Sequence, residues 1–202
     1  MAFLGLLLAL GVAGQDWSQE ILKHASLYWK VSSNSVVFNL TIEPQVWKVY
    51  DWYGVGLKDS AEGSMIDGDF AIIQSLSWDF SYPNLAHMNT FGYKKNKSPQ
   101  KSTNYDFSEV TFGLTYSSEV SVSWVRELNK GVKNESLNLA EGSHYTLLWA
   151  YGKTQKGVIQ KHNSTDRGYA RIQLSNGFYG NATDEGASGL CVLALLAIQV
   201  FF

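Results

Sequence analysis

Residues 36–42 set the pattern: Val36, Phe38, Leu40 and Ile42 alternate with Val37, Asn39 and Thr41. A period of two sends successive side chains to opposite sheet faces, so this is a strand with one face buried and Asn39 facing outward. Ser26–Lys30 opens a similar pattern ahead of it. Val46–Leu57, aromatic and β-branched, predicts another strand, and Lys58–Gly63 a polar loop. Met65–Leu76 runs through an Asp67-Gly68-Asp69 turn into a strand from Phe70. From Trp78 to Tyr105 the pattern breaks, and Pro83, Gly92, Pro99 and the run Lys94-Lys95-Asn96-Lys97 predict loops with short strands between them. Alternation resumes at Val110, Phe112 and Leu114 and again at Val120, Val122 and Trp124, with Ser117-Ser118-Glu119 between them: a hairpin. After a polar connector at Lys130–Glu141, Tyr145–Tyr151 and Tyr169–Leu174 read as strands. There is no long amphipathic helix and no internal repeat. Eight or more short strands with turn signals between them predict an all-β fold, an antiparallel sandwich.

The two ends are apolar in a different way. Residues 1–14 are a leucine-rich core closing on small residues, which reads as a secretory signal peptide. Leu190–Phe202 is an uncharged tail of thirteen residues, below the roughly 20 a spanning helix needs. Small residues at 180–183 and a polar spacer precede it, the pattern of a glycosylphosphatidylinositol attachment signal. Asn181 is the expected attachment site, with Gly186–Ser188 second, and 182–202 would be the removed propeptide. The expected mature domain, 15–181, then contains no cysteine, because Cys191 lies in the tail. That removes disulfides, thiolate metal sites and a cysteine nucleophile. With Asp184 and Glu185 also gone, sixteen acids balance sixteen bases, and a near-neutral domain argues against nucleic acid as partner. Five Asn-x-Ser/Thr sequons fit the secretory route: Asn39, Asn134, Asn163 and Asn181, with Asn96 disfavoured by Pro99. The expected location is the outer face of the plasma membrane, lipid-anchored, or secretion without the anchor.

Chemistry is sparse. Hydrolase, phosphate-loop and dinucleotide motifs are missing from the sequence. Asp59, Glu62, Asp67 and Asp69 offer oxygen ligands for calcium, but their spacing is not that of an EF-hand, and Asp-Gly is first of all turn chemistry. His87 and Met88 are adjacent, so in an extended chain they face opposite ways. Met65 by itself reads as a core gap-filler, and His162 as a loop histidine.

Five segments in order carry a family resemblance: Trp52-Tyr53-Gly54-Val55-Gly56-Leu57, Met65–Ile73, Val122–Leu128, Tyr145–Gly152, and His162 with Arg167-Gly168. Over roughly 26–175 the chain resembles the DOMON family, named after part of dopamine β-monooxygenase. The resemblance implies an immunoglobulin-like antiparallel β-sandwich of about ten or eleven strands that binds haem b or, in some branches, sugars. Haem-binding members, which resemble the cytochrome domain of cellobiose dehydrogenase, ligate iron through one Met and one His. Met65 and His162 occupy those places, and Trp52, Trp124 and Trp149 are the implied pocket walls. Here the glycine follows Asp67 instead of sitting directly after Met-Ile, and the companion flavin, copper or multi-helix domains are missing. Met/His ligation fills both axial sites and suits one-electron transfer more than oxygen activation. The expected partner is a redox protein or a small electron donor or acceptor. The rival expectation is a haem-free module for extracellular carbohydrate recognition or adhesion.

Overall fold

The computed structural model describes residues 17–75, 83–89, 100–101, 107–129, 137–181 and 183–184. The expected signal peptide, the apolar tail, and the sequons Asn96 and Asn134 lie outside the described residues.

The chain forms the all-β sandwich its alternation predicts. Its strands are β1 (Ser18–Leu22), β2 (Ala25–Val31), β3 (Ser35–Ile42), β4 (Trp52–Lys58), β5 (Asp69–Ser75), β6 (Pro83–Asn89), β7 (Gln100–Lys101) and β8 (Ser108–Leu114). They continue as β9 (Val120–Glu127), β10 (His144–Gly152), β11 (Thr154–Gln155), β12 (Val158–Ile159), β13 (Arg167–Gln173), β14 (Tyr179–Asn181) and β15 (Thr183–Asp184). The first sheet runs β14-β1-β2-β3-β9-β8 and the second β15-β13-β10-β4-β5-β6-β7, while β11 and β12 form a separate hairpin. Every pairing is antiparallel except β1 with β14. The fifteen strands among the described residues exceed the ten or eleven expected because four have only two residues.

Alternation does the folding in the first sheet. Leu27, Trp29, Phe38, Leu40, Val122 and Trp124 point inward and meet Tyr53, Val55, Ile73, Leu147 and Trp149 of the second sheet. Burying each such side chain contributes about 1.5–3 kcal/mol. One ion pair crosses this core: Arg126 Nη1 of β9 lies 2.9 Å from Asp69 Oδ2 of β5.

The strand expected at 46–57 starts only at Trp52. Before it, Pro44–Trp47 form a single helical turn, α1, with proline in the first turn, where its missing N–H costs nothing. Tyr50 N continues that turn by donating to Val46 O at 2.8 Å, and the turn buries Val46 and Trp47. The hairpin expected at 110–124 is β8–β9, closed by Thr115 N to Glu119 O. Its first strand is exposed throughout, because β8 is an edge.

Candidate functional site

β4 is buried at all seven positions, and β10 at every position after His144. Both faces of the second sheet are therefore covered there. The outer face carries its own apolar cluster of Trp52, Phe70, Ile72, Leu148, Ala150 and Ile159, with Met65 and Tyr169 packed against it. Glycine flattens this surface. In register, Gly54 stands between Ala150 and Ile72, Gly56 between Leu148 and Phe70, and Gly152 opposite Trp52. A Cβ on Gly56 would run into the Phe70 ring, and one on Gly152 would meet the Trp52 indole at 3.0 Å. Without those carbons the two aromatic rings lie close on the strand backbone, and the face becomes a flat apolar platform.

Two connections cover it from opposite ends of the strands. The first, 59–68, leaves β4 after Lys58 and returns at Asp69. Its base is held by the Ser60 carbonyl, which accepts from Thr146 Oγ1 and from Arg171 Nη1 at 3.1 Å. Gly63 runs so close to the Tyr169 ring that no side chain fits there. Asp67 takes a φ of 61°, as aspartate tolerates in a turn, and Gly68 N reaches Met65 O at 3.4 Å. That turn sets half-buried Met65 down on the platform. Asp69 goes the other way, into the core, where its Oδ2 accepts from Arg126 Nη1 and Leu137 N, each at 2.9 Å. The four acids 59, 62, 67 and 69 therefore do not converge. Among the described residues no group of three His, Cys, Asp or Glu side chains has metal-binding geometry.

The second connection runs from Lys153 to Asp166. Asp51 Oδ2 accepts from Thr154 N at 2.7 Å and from Thr154 Oγ1 at 3.1 Å, and Trp52 Nε1 donates to Lys153 O at 3.1 Å. These bonds fold the β11–β12 hairpin back, so that Ile159 packs on the platform and half-buried His162 follows three residues later. His162 Nδ1 lies 2.9 Å from Asn163 O. A carbonyl only accepts, so Nδ1 carries the proton and Nε2 holds the lone pair that binds metals. Burial disfavours the imidazolium and lowers the His162 pKa below its ordinary value; the Asn163 carbonyl opposes this, and Arg167 and Lys161 reinforce it. The ring is thus neutral at neutral pH. Buried Asp166 fixes the turn beneath it, accepting from Asn163 Nδ2 at 2.9 Å and Thr165 Oγ1 at 3.2 Å, while Tyr151 N donates to the Asp166 carbonyl at 3.0 Å. The Tyr50 hydroxyl, also bonded to Asp166, is raised in pKa by burial and then by that carboxylate.

Met65 and Trp52 thus lie at one face of the second sheet, and from the connection that carries His162 it is Ile159 that packs there. Trp124 and Trp149 are not among them. Both lie between the sheets, Trp124 stacked on Phe38 at 5.5 Å and Trp149 on Tyr151 at 6.1 Å. The period-two rule separates Trp149 from its neighbours Leu148 and Ala150, which face the platform. Phe70, Ile72, Leu148, Ile159 and Tyr169, which the sequence reading did not single out, make up most of this face. For Phe70, Ile72, Leu148 and Tyr169 the signal was parity with Trp52 across the strand pairs. Of the sequons, Asn39 lies on the outer face of the first sheet, taking Ser121 Oγ at 3.1 Å, and Asn163 is exposed beside His162. Asn181 pairs with Ile21 at the end of β14, and Thr183–Asp184 pair with β13, so cleavage after Asn181 would remove β15.

The one cleft described lies elsewhere, between the sheets, lined by Phe38, Phe107, Trp124, Arg126, Asp69 and Leu147 among others.

No family model matches the chain, and no curated protein matches it. Among solved structures it is similar to the cytochrome b domain of pyranose dehydrogenase from Coprinopsis cinerea, at 10% identity and a TM-score of 0.48, over 74% of this chain and 76% of that one.

Proposed function

We propose that the protein is a cell-surface, lipid-anchored b-type cytochrome domain that carries single electrons, with Met65 and His162 as axial ligands of haem b. The observation that carries this reading is the apolar platform, on which Met65 packs from one end and Ile159, three residues before His162, from the other. The residues fit the group. A soft thioether and a neutral imidazole whose Nε2 holds the lone pair are a low-spin iron donor set. The glycine-flattened surface suits a planar macrocycle, and Lys58 and Arg171 near one loop and Arg167 near the other offer cations to its carboxylates. Haem, when bound, supplies a one-electron couple. The chain's own residues do the rest. The Asn163 carbonyl holds the imidazole proton on Nδ1, Asp166 keeps the turn in place, and Trp52, Phe70, Ile72 and Leu148 exclude water.

Sugar recognition is the rival, and exposed aromatics favour it at another place. Phe112 and Tyr116 are 40% and 74% exposed at the β8 end of the first sheet, away from the platform.

Haem titration of the purified protein separates the two. The cytochrome reading expects one haem per chain and a loss of affinity of at least tenfold in both Met65→Ala and His162→Ala, the scale set by coordination changes. A folded protein that takes up no haem and binds glycans through Tyr116 contradicts it.

A further inference from the structure

The connection that carries His162 also carries an unbalanced charge. From Lys153 to Thr165 the chain has Lys153, Lys156 and Lys161, all exposed, and no acid. The acids that adjoin it are engaged in bonding, Asp166 buried and the Glu43 side chain 41% exposed. Asp51 accepts from Thr154, Asp166 is buried under Asn163 and Thr165, and Glu43 sits against His24 Nδ1 at 2.9 Å. Further cations border the same end of the sandwich. Lys23 Nζ reaches Thr165 O at 2.8 Å, exposed Lys48 closes α1 three residues before Asp51, and Arg167 opens β13. The chain as a whole is slightly acidic, with 16 basic and 18 acidic residues, so this is a local field and not a general one. Lys156 and Gly157 form the positive-φ tip of the hairpin, at 51° and 76°, which holds the lysines out on a short, tied support.

We infer that the β11–β12 hairpin and the His162 turn form the docking face for an acidic one-electron redox protein. The inference rests on the cytochrome reading. The face includes the turn that carries His162, and the carboxylates of a partner seated there meet the exposed Lys153, Lys156 and Lys161. A field of one sign at the point of exchange raises the encounter rate with partners of opposite charge, and salt screens it.

The test uses the full chain loaded with haem, reduced, and mixed with two inorganic one-electron acceptors, ferricyanide (an anion) and tris(phenanthroline)cobalt(III) (a cation). One electron passes from protein to acceptor and no bond is made or broken; ferricyanide becomes ferrocyanide, and cobalt(III) becomes cobalt(II). At low ionic strength the triple variant Lys153→Glu, Lys156→Glu, Lys161→Glu is expected to lose roughly tenfold in rate with ferricyanide and to gain with the cobalt complex, and the differences should vanish at high salt. The triple Lys→Gln variant should fall between. A protein that takes up haem but whose rates ignore both the substitutions and the salt overturns the docking face alone. A protein that takes up no haem overturns the docking face and the cytochrome reading together, and the absorption spectrum taken before mixing tells the two failures apart.

Discussion

Glu20 is a carboxylate only 1% exposed in β1, with Leu27 opposite it on β2 and Gly180 on β14. Its Oε1 is buried without a hydrogen-bond partner, and burial pushes its pKa from 4.5 up to about 7. Below about pH 4.5 it is protonated in both folded and unfolded chains. Between there and about pH 7 only the unfolded chain ionises, so stability falls as pH rises through this window and is flat above it. The full loss is at most about 3 kcal/mol, less wherever water reaches this edge of the sheet. Glu20→Gln should flatten the melting temperature across that window, and an unchanged pH profile would contradict the assignment. This residue also explains why β1 was illegible in the sequence. In Ser18–Leu22 the polar Ser18 and Glu20 are buried and Ile21 is half exposed, the reverse of the pattern that hydrophobic periodicity detects.

At the scale of elements, two contacts decide how the strands fit, one within the second sheet and one between the sheets. Gly168 on β13 stands opposite Trp149 on β10, and a Cβ there would enter the indole. Gly168→Ala should cost about 1–3 kcal/mol by overpacking, read as a lower denaturation midpoint at unchanged slope. Asp69 and Arg126 tie β5 to β9 with both side chains nearly inaccessible. Removing either partner strands the other charge, so Asp69→Ala or Arg126→Ala should each cost about 3–5 kcal/mol, whereas the double change Asp69→Leu, Arg126→Met should cost less than either. A denaturant double-mutant cycle reads the coupling, and additive losses would argue against it. Alternation located most strands but not their cover. Val110, Phe112 and Leu114 alternate as a buried face would, yet β8 is an edge with its apolar side chains exposed, because period two reports a face and not whether another strand lies across it. The opposite signal was present in 52–57 and 145–151, where apolar residues run nearly without a break because both faces of β4 and β10 are covered. At 46–51 the aromatic run hid the helical turn that Pro44 starts.

For the whole molecule, the fold class was legible because short alternating strands with turns between them leave few architectures. The site was legible in part. The ordered segments pointed to Met65 and His162, but no spacing rule reveals that the connections after β4 and β10 bring Met65 and Ile159 onto one face from opposite ends. Nor could the three tryptophans be sorted without strand parity, which sends Trp52 to the platform and Trp124 and Trp149 to the core. The account stands or falls on whether sulfur and imidazole meet the same iron. The most direct measurement is the far-red absorption of the oxidised, haem-loaded protein, where a weak charge-transfer band accompanies the thioether–iron bond. The account predicts that band in the wild type, its loss in Met65→Ala with the haem retained through His162, and loss of low-spin haem in His162→Ala. A band that survives Met65→Ala, or a haem whose spectrum is indifferent to His162, would contradict it.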